Sequence, residues 1–426
     1  MKGYEVLAKA LHICADHILA IPGFPVTELA DAAEGIPVAG EKVGVEYALG
    51  HSLSGERSAV IMKNVGLNAC ADPLIHATTQ GLIGGVVVVA GDDHEALGST
   101  NTEDSRYYGE LGQLPVLEPG LETCARVIEA AFSASEQFSR ISLVRVTPEL
   151  LFSEAILEPV RRNPGRGRLA PSYLTMKGRA DLADTLVPGM FAWAEQSDLN
   201  RLQGGVAGVG PLQGDSGIVT VYPPPKGLRD CSDIREIGRP FVREHRNLSP
   251  PEPAPEPETI RKRGYVRTFC RRCPFLPVME VLKEKGLRVI ADAGCSILAL
   301  NPPFRIALAS YGLGTAVGVA ARSTGVALIG DYALVHSGIP SLVDVYEKQI
   351  PLLCIVLDNR CMAMTGGQET PDPGRYLAWA DPVRVMASEQ EELLRLITQP
   401  AGPITIIVEG ICPEGRYHEI VECSDL

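Results

Sequence analysis

The chain has 426 residues, enough for two or three domains, and its 45% hydrophobic content is spread so that no stretch approaches a membrane span. A net charge of −13 argues against a general nucleic-acid surface. The 11 cysteines are scattered, and the first residues run straight into a helical pattern with no signal-peptide architecture. The thiols therefore read as those of a reducing cytoplasm and not as a disulfide framework.

Helical apolar spacing covers residues 4–15, and a short strand follows at 18–21. Pro22-Gly23-Phe24-Pro25 is a tight loop, residues 27–33 start a helix, and 36–38 is a short extended stretch that Pro37 confines to an edge or a strand start. Residues 41–54 form a helix with small residues (Gly44, Ala48, Gly50, Ser54) on part of its surface. Small residues let another backbone approach closely, which predicts packing in an interface or under a cofactor. Strands at 58–62, 85–90 and 140–146, with a loop and helix at 66–79, give the β-α-β-α rhythm of a parallel sheet.

The rhythm breaks over residues 157–263, where Arg- and Gly-rich turns surround one strand candidate at 218–222. The proline-rich run at 249–258 predicts a semi-rigid extended linker. Beyond it the pattern returns, with helices at 276–285 and 312–321 and strands at 288–291, 326–329, 352–357 and 404–408, the last closing the sheet. The expected fold class is α/β. Two parallel-sheet domains, residues 1–156 and 264–426, are joined by a connecting module and linker at 157–263.

The second half is organised around residues 330–359. Asp331 ends the strand at 326–329, a helix follows, and Asn359 stands just past the strand at 352–357. In such a βαβ unit both side chains project from the carboxyl edge of one sheet, where open α/β sheets bind ligands. Two hard oxygen ligands beside a diphosphate suit Mg2+; the plainer alternative is an ordinary crossover with a polar turn. The spacing resembles the thiamine diphosphate motif, Gly-Asp followed after a spacer by Asn. That resemblance implies that Asp331 and Asn359 hold the metal through their side chains and Cys361 through its backbone carbonyl.

Thiamine chemistry needs a carboxyl that hydrogen-bonds the pyrimidine ring, and burial in an apolar setting would raise its pKa toward neutrality. The candidates are Glu41 and Glu46, five residues apart on the helix at 41–54. Thiamine enzymes commonly place this Glu nine residues before a Gly on this helix, the interval from Glu41 to Gly50, which implies Glu41. The alternative is that Glu41 serves only the electrostatics of the helix N-terminus.

Longer stretches narrow the resemblance. IPGFPVTEL (21–29), EKVGVEYALG (41–50), MKNVGLNACADPL (62–74), STNTEDSRYY (99–108) and LPVLEP (114–119) lie in the first half. CRRCP (270–274), ADAGCSILALNPP (291–303), GDYALVHSGIP (330–340) and LDNRCMAMTGGQ (357–368) lie in the second. Collinear and covering most of the chain outside its middle, they resemble the indolepyruvate ferredoxin oxidoreductase α subunit, within the 2-oxoacid:ferredoxin oxidoreductase superfamily. The resemblance implies a pyrimidine-type domain at 1–156, a diphosphate-type domain at 264–426, and oxidative decarboxylation of a 2-oxoacid such as an aryl pyruvate. It assigns Gly294, Cys295, Ser296, Gly330, Asp331, Tyr332, Ala333, Asn359, Cys361, Met362 and Ala363 to thiamine diphosphate and its Mg2+. Lys63, Asn64 and Asn68 would line the substrate pocket with Phe24 and Phe275. A homodimer is implied, since these cofactors usually lie between a pyrimidine domain and a diphosphate domain, often from different chains.

Departures from the family bear on substrate and electron flow. A family Thr is Phe24, a His is Asn64, and a His-Arg pair is Phe275-Leu276, which removes donors for a 2-oxoacid carboxylate. The residues end at Leu426 without the family's ferredoxin-like tail, so electrons are expected to leave through a separate iron–sulfur or ferredoxin partner. Cys270 and Cys273 make half a metal site with no second pair at ligand spacing, and they read as a structural turn. Two further readings stand beside the oxidoreductase: a non-oxidative thiamine-diphosphate-dependent decarboxylase or carboligase, and a non-catalytic cofactor-binding paralogue.

Overall fold

The computed structural model describes residues 1–93, 96–99, 103–199, 202–203, 206–207, 218–221, 256–412 and 421–423; most of the proline-rich run lies outside them. The chain forms two compact units, residues 1–170 with 180–257, and residues 171–179 with 258–426.

The first unit is built on β1 (His17–Ala20), β2 (Ile36–Pro37), β3 (Ser58–Lys63), β4 (Val86–Gly91), β5 (Pro115–Glu118), β6 (Ser142–Val146) and β7 (Ile218–Val221). Their order is β2-β1-β3-β4-β6-β5-β7; the first six are parallel and β7 pairs antiparallel with β5. Val86–Gly91 is buried throughout, as a central strand covered on both faces must be. Pro37 falls on the edge strand, where its missing N–H costs no ladder bond.

Helices α1 (Gly3–Cys14), α2 (Thr27–Ala32), α3 (Glu41–Leu53), α4 (Gly66–Gln80), α5 (Tyr107–Gly112) and α6 (Cys124–Phe138) accompany these strands. The small face of α3 has a local purpose: a Cβ on Gly44 would stand 3.0 Å from Val60 Cγ1 and 3.3 Å from Ile21 Cδ1, so glycine lets the helix settle onto β3. The region expected to lack regular structure contains two helices, Met176–Thr185 and Val187–Glu195. Gly178, Pro188 and Gly189 obscure their periodicity in the sequence.

The second unit holds β8 (Val289–Ala291), β9 (Ala307–Ala309), β10 (Val326–Gly330), β11 (Leu352–Asp358), β12 (Val383–Met386) and β13 (Pro403–Glu409). All pairings are parallel, in the order β9-β8-β10-β11-β13-β12. The strand expected to close this sheet is β13; β12 instead lies outside it, and its largely exposed side chains hide it from a search for apolar runs. The helix expected from residue 312 begins at Ala316, because buried Asp292 accepts hydrogen bonds from Gly314 N (2.8 Å) and Ala316 N (3.0 Å) and holds the preceding turn. Gly314 has φ +75, and a Cβ there would stand 2.2 Å from Ser337 Oγ, so glycine is required.

Candidate active site

The βαβ unit read from the sequence is present. Asp331 follows β10 and Asn359 follows β11, which are paired neighbours. The helix between them runs from Asp331 through a π-helical turn at Leu334–Gly338 to Glu347. These ends frame a cavity of about 310 Å³ in the second unit. Its lining includes Gly294, Cys295, Ser296, Gly330, Asp331, Tyr332, Ala333, Asn359, Cys361, Met362 and Ala363, and Phe275 lines it too. Every residue assigned to the cofactor thus borders one space, although the stretches that supply them are separated by tens of residues.

Asp331 is buried among hydrogen bonds. Its Oδ1 accepts from Tyr332 N (2.7 Å), and its Oδ2 accepts from Arg360 N (3.0 Å) and Thr370 Oγ1 (2.5 Å). Burial pushes its carboxyl up to about 6, with Thr370 pulling the other way and the Asp358 charge adding to the rise. A carboxylate penalised in this way is suited to receive a cation. Asn359 Oδ1 accepts from Cys361 N (3.3 Å), and its Nδ2 donates to Cys412 Sγ (3.2 Å).

The cavity's shape and donors fit a diphosphate with a hard divalent ion. Gly294 has φ +106, and neither it nor Gly330 has an atom within 4 Å of where a Cβ would be, so both leave room beside the backbone. Carboxylate, amide and carbonyl oxygens are the ligand types Mg2+ takes. Ser296, expected to donate to the diphosphate, instead donates its hydroxyl to the Asp292 carbonyl (3.1 Å) and is buried.

A second cavity adjoins the first, and sequence spacing concealed it. Cys270, Cys273, Cys295 and Cys412 all line it, with Phe275 and Asn359 shared between the two cavities. Cys270 and Cys273, read from the sequence as a structural turn, thus share a cavity lining with two further thiols. Each thiol lies just beyond a strand: after Val266–Thr268, after β8 and after β13. Parallel topology brings Cys295 and Cys412 together whatever their separation in sequence, because β8 and β13 share one sheet; Val266–Thr268, ahead of Cys270 and Cys273, pairs antiparallel with Val421–Cys423 outside it. Burial pushes the Cys273 thiol up to about 12, with Cys270 and Cys412 adding to the rise, and pushes the Cys295 thiol up to about 12, with Cys273, Cys412 and Cys270 adding. Burial pushes the Cys361 thiol up to about 11, with Cys412 adding to the rise.

Clustered thiols that resist ionising together suit a metal that stabilises several thiolates. Among the described residues, no three of these sulfurs lie within 4.8 Å of one another. Sulfurs around a single tetrahedral zinc are closer, about 3.8 Å apart for Zn–S bonds of about 2.3 Å.

The first unit carries the remaining candidates at the carboxyl end of its sheet. Glu41 opens α3 and lies against Gly66 at the start of α4. Glu46 is fully buried and paired with Lys42 at 2.5 Å, which leaves Glu41 as the less committed carboxylate. Asn64 is buried, accepts from Val65 N (2.9 Å) and donates to the Glu103 carbonyl (3.4 Å). Asn68 donates to Glu103 Oε1 (2.8 Å) and accepts from Tyr108 Oη. Lys63 ends β3 beside Gly23, and the Phe24 ring packs against Gly98 and stacks on Phe152 at 6.3 Å.

The loop facing Asn64 and Asn68 rests on buried charges that the sequence reading missed. Arg145 bonds Asp92 and Glu118 (2.8 Å to Glu118), and Arg106 bonds Asp104 at 2.7 and 2.8 Å.

Comparison with known proteins agrees with this geometry. Residues 299–388 match the family model for the thiamine pyrophosphate enzyme, C-terminal TPP binding domain. Among solved structures, a protein described as a thiamin diphosphate-dependent enzyme from Mycobacterium smegmatis superposes with a TM-score of 0.57 at 14% identity, covering 97% of this chain and 100% of the other. The thiamine diphosphate-dependent 4-hydroxybenzoylformate decarboxylase of Rhodococcus jostii gives 0.56 at 15%, covering 96% and 99%. At these identities the likeness is one of fold. Fold, cavity lining and the match over residues 299–388 all liken the chain to thiamine pyrophosphate enzymes.

Along most of its length it is similar to the indolepyruvate oxidoreductase subunit IorA, as its motifs imply. It is 27% identical to the Methanothermobacter thermautotrophicus protein over 472 residues, covering 87% of this chain and 75% of the relative. The Archaeoglobus fulgidus protein is 24% identical over 489 residues, covering 87% and 76%. Among the described residues, no helix is long and apolar enough to cross a membrane.

Proposed function

We propose that the chain is the thiamine-diphosphate- and Mg2+-binding subunit of a cytoplasmic 2-oxoacid oxidoreductase that decarboxylates an aryl pyruvate or similar acid. It would pass electrons to an iron–sulfur partner. The observation that carries the oxidative reading is the cysteine pocket beside the cofactor cavity, since a non-oxidative decarboxylase needs no electron carrier there. The relatives' names, as subunits of an oxidoreductase, support the same reading.

When bound, thiamine diphosphate supplies the nucleophilic carbon and the electron sink. Asp331, Asn359 and the Cys361 carbonyl would hold Mg2+, and the turn at Gly294 would accommodate the diphosphate. Glu41 would hold and move the proton that activates the cofactor. Phe275, between the two cavities, would keep water from the reacting centre. Cys270, Cys273, Cys295 and Cys412 would hold an iron–sulfur cluster within the subunit. In the overall reaction the substrate carboxylate leaves as CO2 and the acyl group passes to a thiol such as coenzyme A. A proton and two electrons are released, the electrons to a one-electron carrier used twice. A homodimer is part of this reading.

One observation favours a second reading. The apolar side chains Phe24 and Phe275 stand where the family has polar ones, which suits a non-catalytic cofactor-binding subunit. One experiment separates them. Anaerobically purified protein is assayed for iron and sulfide, then given thiamine diphosphate, Mg2+, coenzyme A and a panel of 2-oxoacids, with and without a viologen. CO2 release coupled to viologen reduction supports the proposal. CO2 release without an acceptor replaces it with non-oxidative decarboxylation. Tight cofactor binding without turnover of any acid, even after adding an iron–sulfur partner, favours the non-catalytic subunit.

A further inference from the structure

At the amino end of the first sheet, opposite the edge that bears Lys63, three side chains converge that the proposed reaction does not use. His17 opens β1, His51 lies in the last turn of α3, and Glu56 stands in the turn from α3 to β3. His17 Nε2 and His51 Nδ1 both reach the same Glu56 oxygen, Oε2, at 3.1 and 3.3 Å. The two rings are stacked, with centroids 3.6 Å apart and planes 14° from parallel. Both nitrogens thus lie within hydrogen-bond reach of one carboxylate oxygen. All three ligand atoms lie within 4.8 Å of one another.

The backbone holds this arrangement. Ser54 N and Glu56 N both donate to the His51 carbonyl, at 3.0 and 3.2 Å, and His17 N donates to the Arg57 carbonyl at 3.1 Å. The neighbouring Asp16 is engaged by both Arg162 terminal nitrogens and by Arg57 N, which leaves Glu56 as the local carboxylate ligand. The C-terminal end of a helix favours positive charge. Two imidazoles and one carboxylate select a borderline transition metal over the oxygen-seeking Mg2+.

We propose that His17, His51 and Glu56 form a binding site for a divalent transition-metal ion of the zinc class, with a fourth, outward position for water. Zn–N and Zn–O distances of about 2.0–2.2 Å require the two rings to turn out of their stack and each nitrogen to close by about 1 Å on the ion, while the half-exposed Glu56 carboxylate moves outward to make room. The ion would tie β1 to the far end of the helix that opens with Glu41. This site is independent of the cysteine pocket and of the proposed reaction.

The test uses the full chain with Co2+ as probe, because Co2+ held by nitrogen and oxygen lacks the strong near-ultraviolet band of a cobalt–thiolate bond. Wild type should bind one equivalent of Co2+ without that band, and Zn2+ should displace it and raise the melting temperature. His17→Ala and the gentler Glu56→Gln should each weaken this equivalent by at least about tenfold, the lower bound set by losing even an outer-shell partner. Both variants are first shown to melt like the wild type without metal. Binding of equal strength in wild type and Glu56→Gln, or Co2+ uptake seen only with the thiolate band, overturns the site.

Discussion

The position of Glu41 can be perturbed without touching it. A Cβ built on Gly66 stands 2.4 Å from Glu41 Cγ, 2.9 Å from Oε1 and 3.0 Å from Cδ, whereas ordinary contact begins at 3.4 Å. Gly66→Ala must therefore push the Glu41 side chain back by about 1 Å, and a displacement of that size costs roughly 10²-fold in rate where a group must be placed for proton transfer. Gly66 is the first residue of α4 and has no positive φ, so alanine introduces no backbone strain. Helix propensity favours it by up to about 1 kcal/mol. Gly66→Ala should thus lose about two orders of magnitude in kcat for CO2 release while melting at or above the wild-type temperature. In a Glu41→Gln background, the same change should cost nothing further, because the group it displaces is already disabled. Wild-type kcat in Gly66→Ala, or an equal loss in the Glu41→Gln background, would refute a proton-moving role for Glu41.

Other predictions concern the metal cradle and the fold. Only ionised Asp331 attracts a cation, and its carboxyl sits at about 6, so Mg2+-dependent cofactor binding should be intact at pH 7.5 and fade as pH falls through about 6; Asp331→Asn should bind weakly at every pH, as followed by titration calorimetry. Thr370→Val removes a hydrogen bond that favours the ionised form, so the same midpoint should move upward and Mg2+ affinity at neutral pH should drop by about 10–100-fold. Arg145→Met strands the buried carboxylates of Asp92 and Glu118 and should cost about 3–5 kcal/mol of stability, measured by urea denaturation.

The parts of this molecule that were legible in the sequence are those written in contiguous runs. Four consecutive valines announce β4, and an apolar strand ending in Gly-Asp announces β10 and the place of Asp331 at its end. Pro37 predicted its own place at a sheet edge. Three kinds of feature were hidden. Exposed β12 lacks an apolar signature. Buried ion pairs such as Arg145–Asp92 join residues whose partners no local pattern reveals. Cys412, 117 residues beyond Cys295, reaches it only because β8 and β13 belong to one parallel sheet with their carboxyl ends on the same side.

Asn359 lines both cavities: its Oδ1 accepts from Cys361 N at 3.3 Å and its Nδ2 donates to Cys412 Sγ at 3.2 Å. A planar amide cannot turn one end without turning the other, so what fills one cavity sets the orientation offered to the next. By linkage, the factor by which a ligand at the cysteines changes Mg2+ affinity equals the factor by which Mg2+ changes affinity at the cysteines. If both proposed sites are filled, the order in which the protein is loaded becomes a matter of supply, and whichever inorganic component arrives first changes the uptake of the other by that same factor.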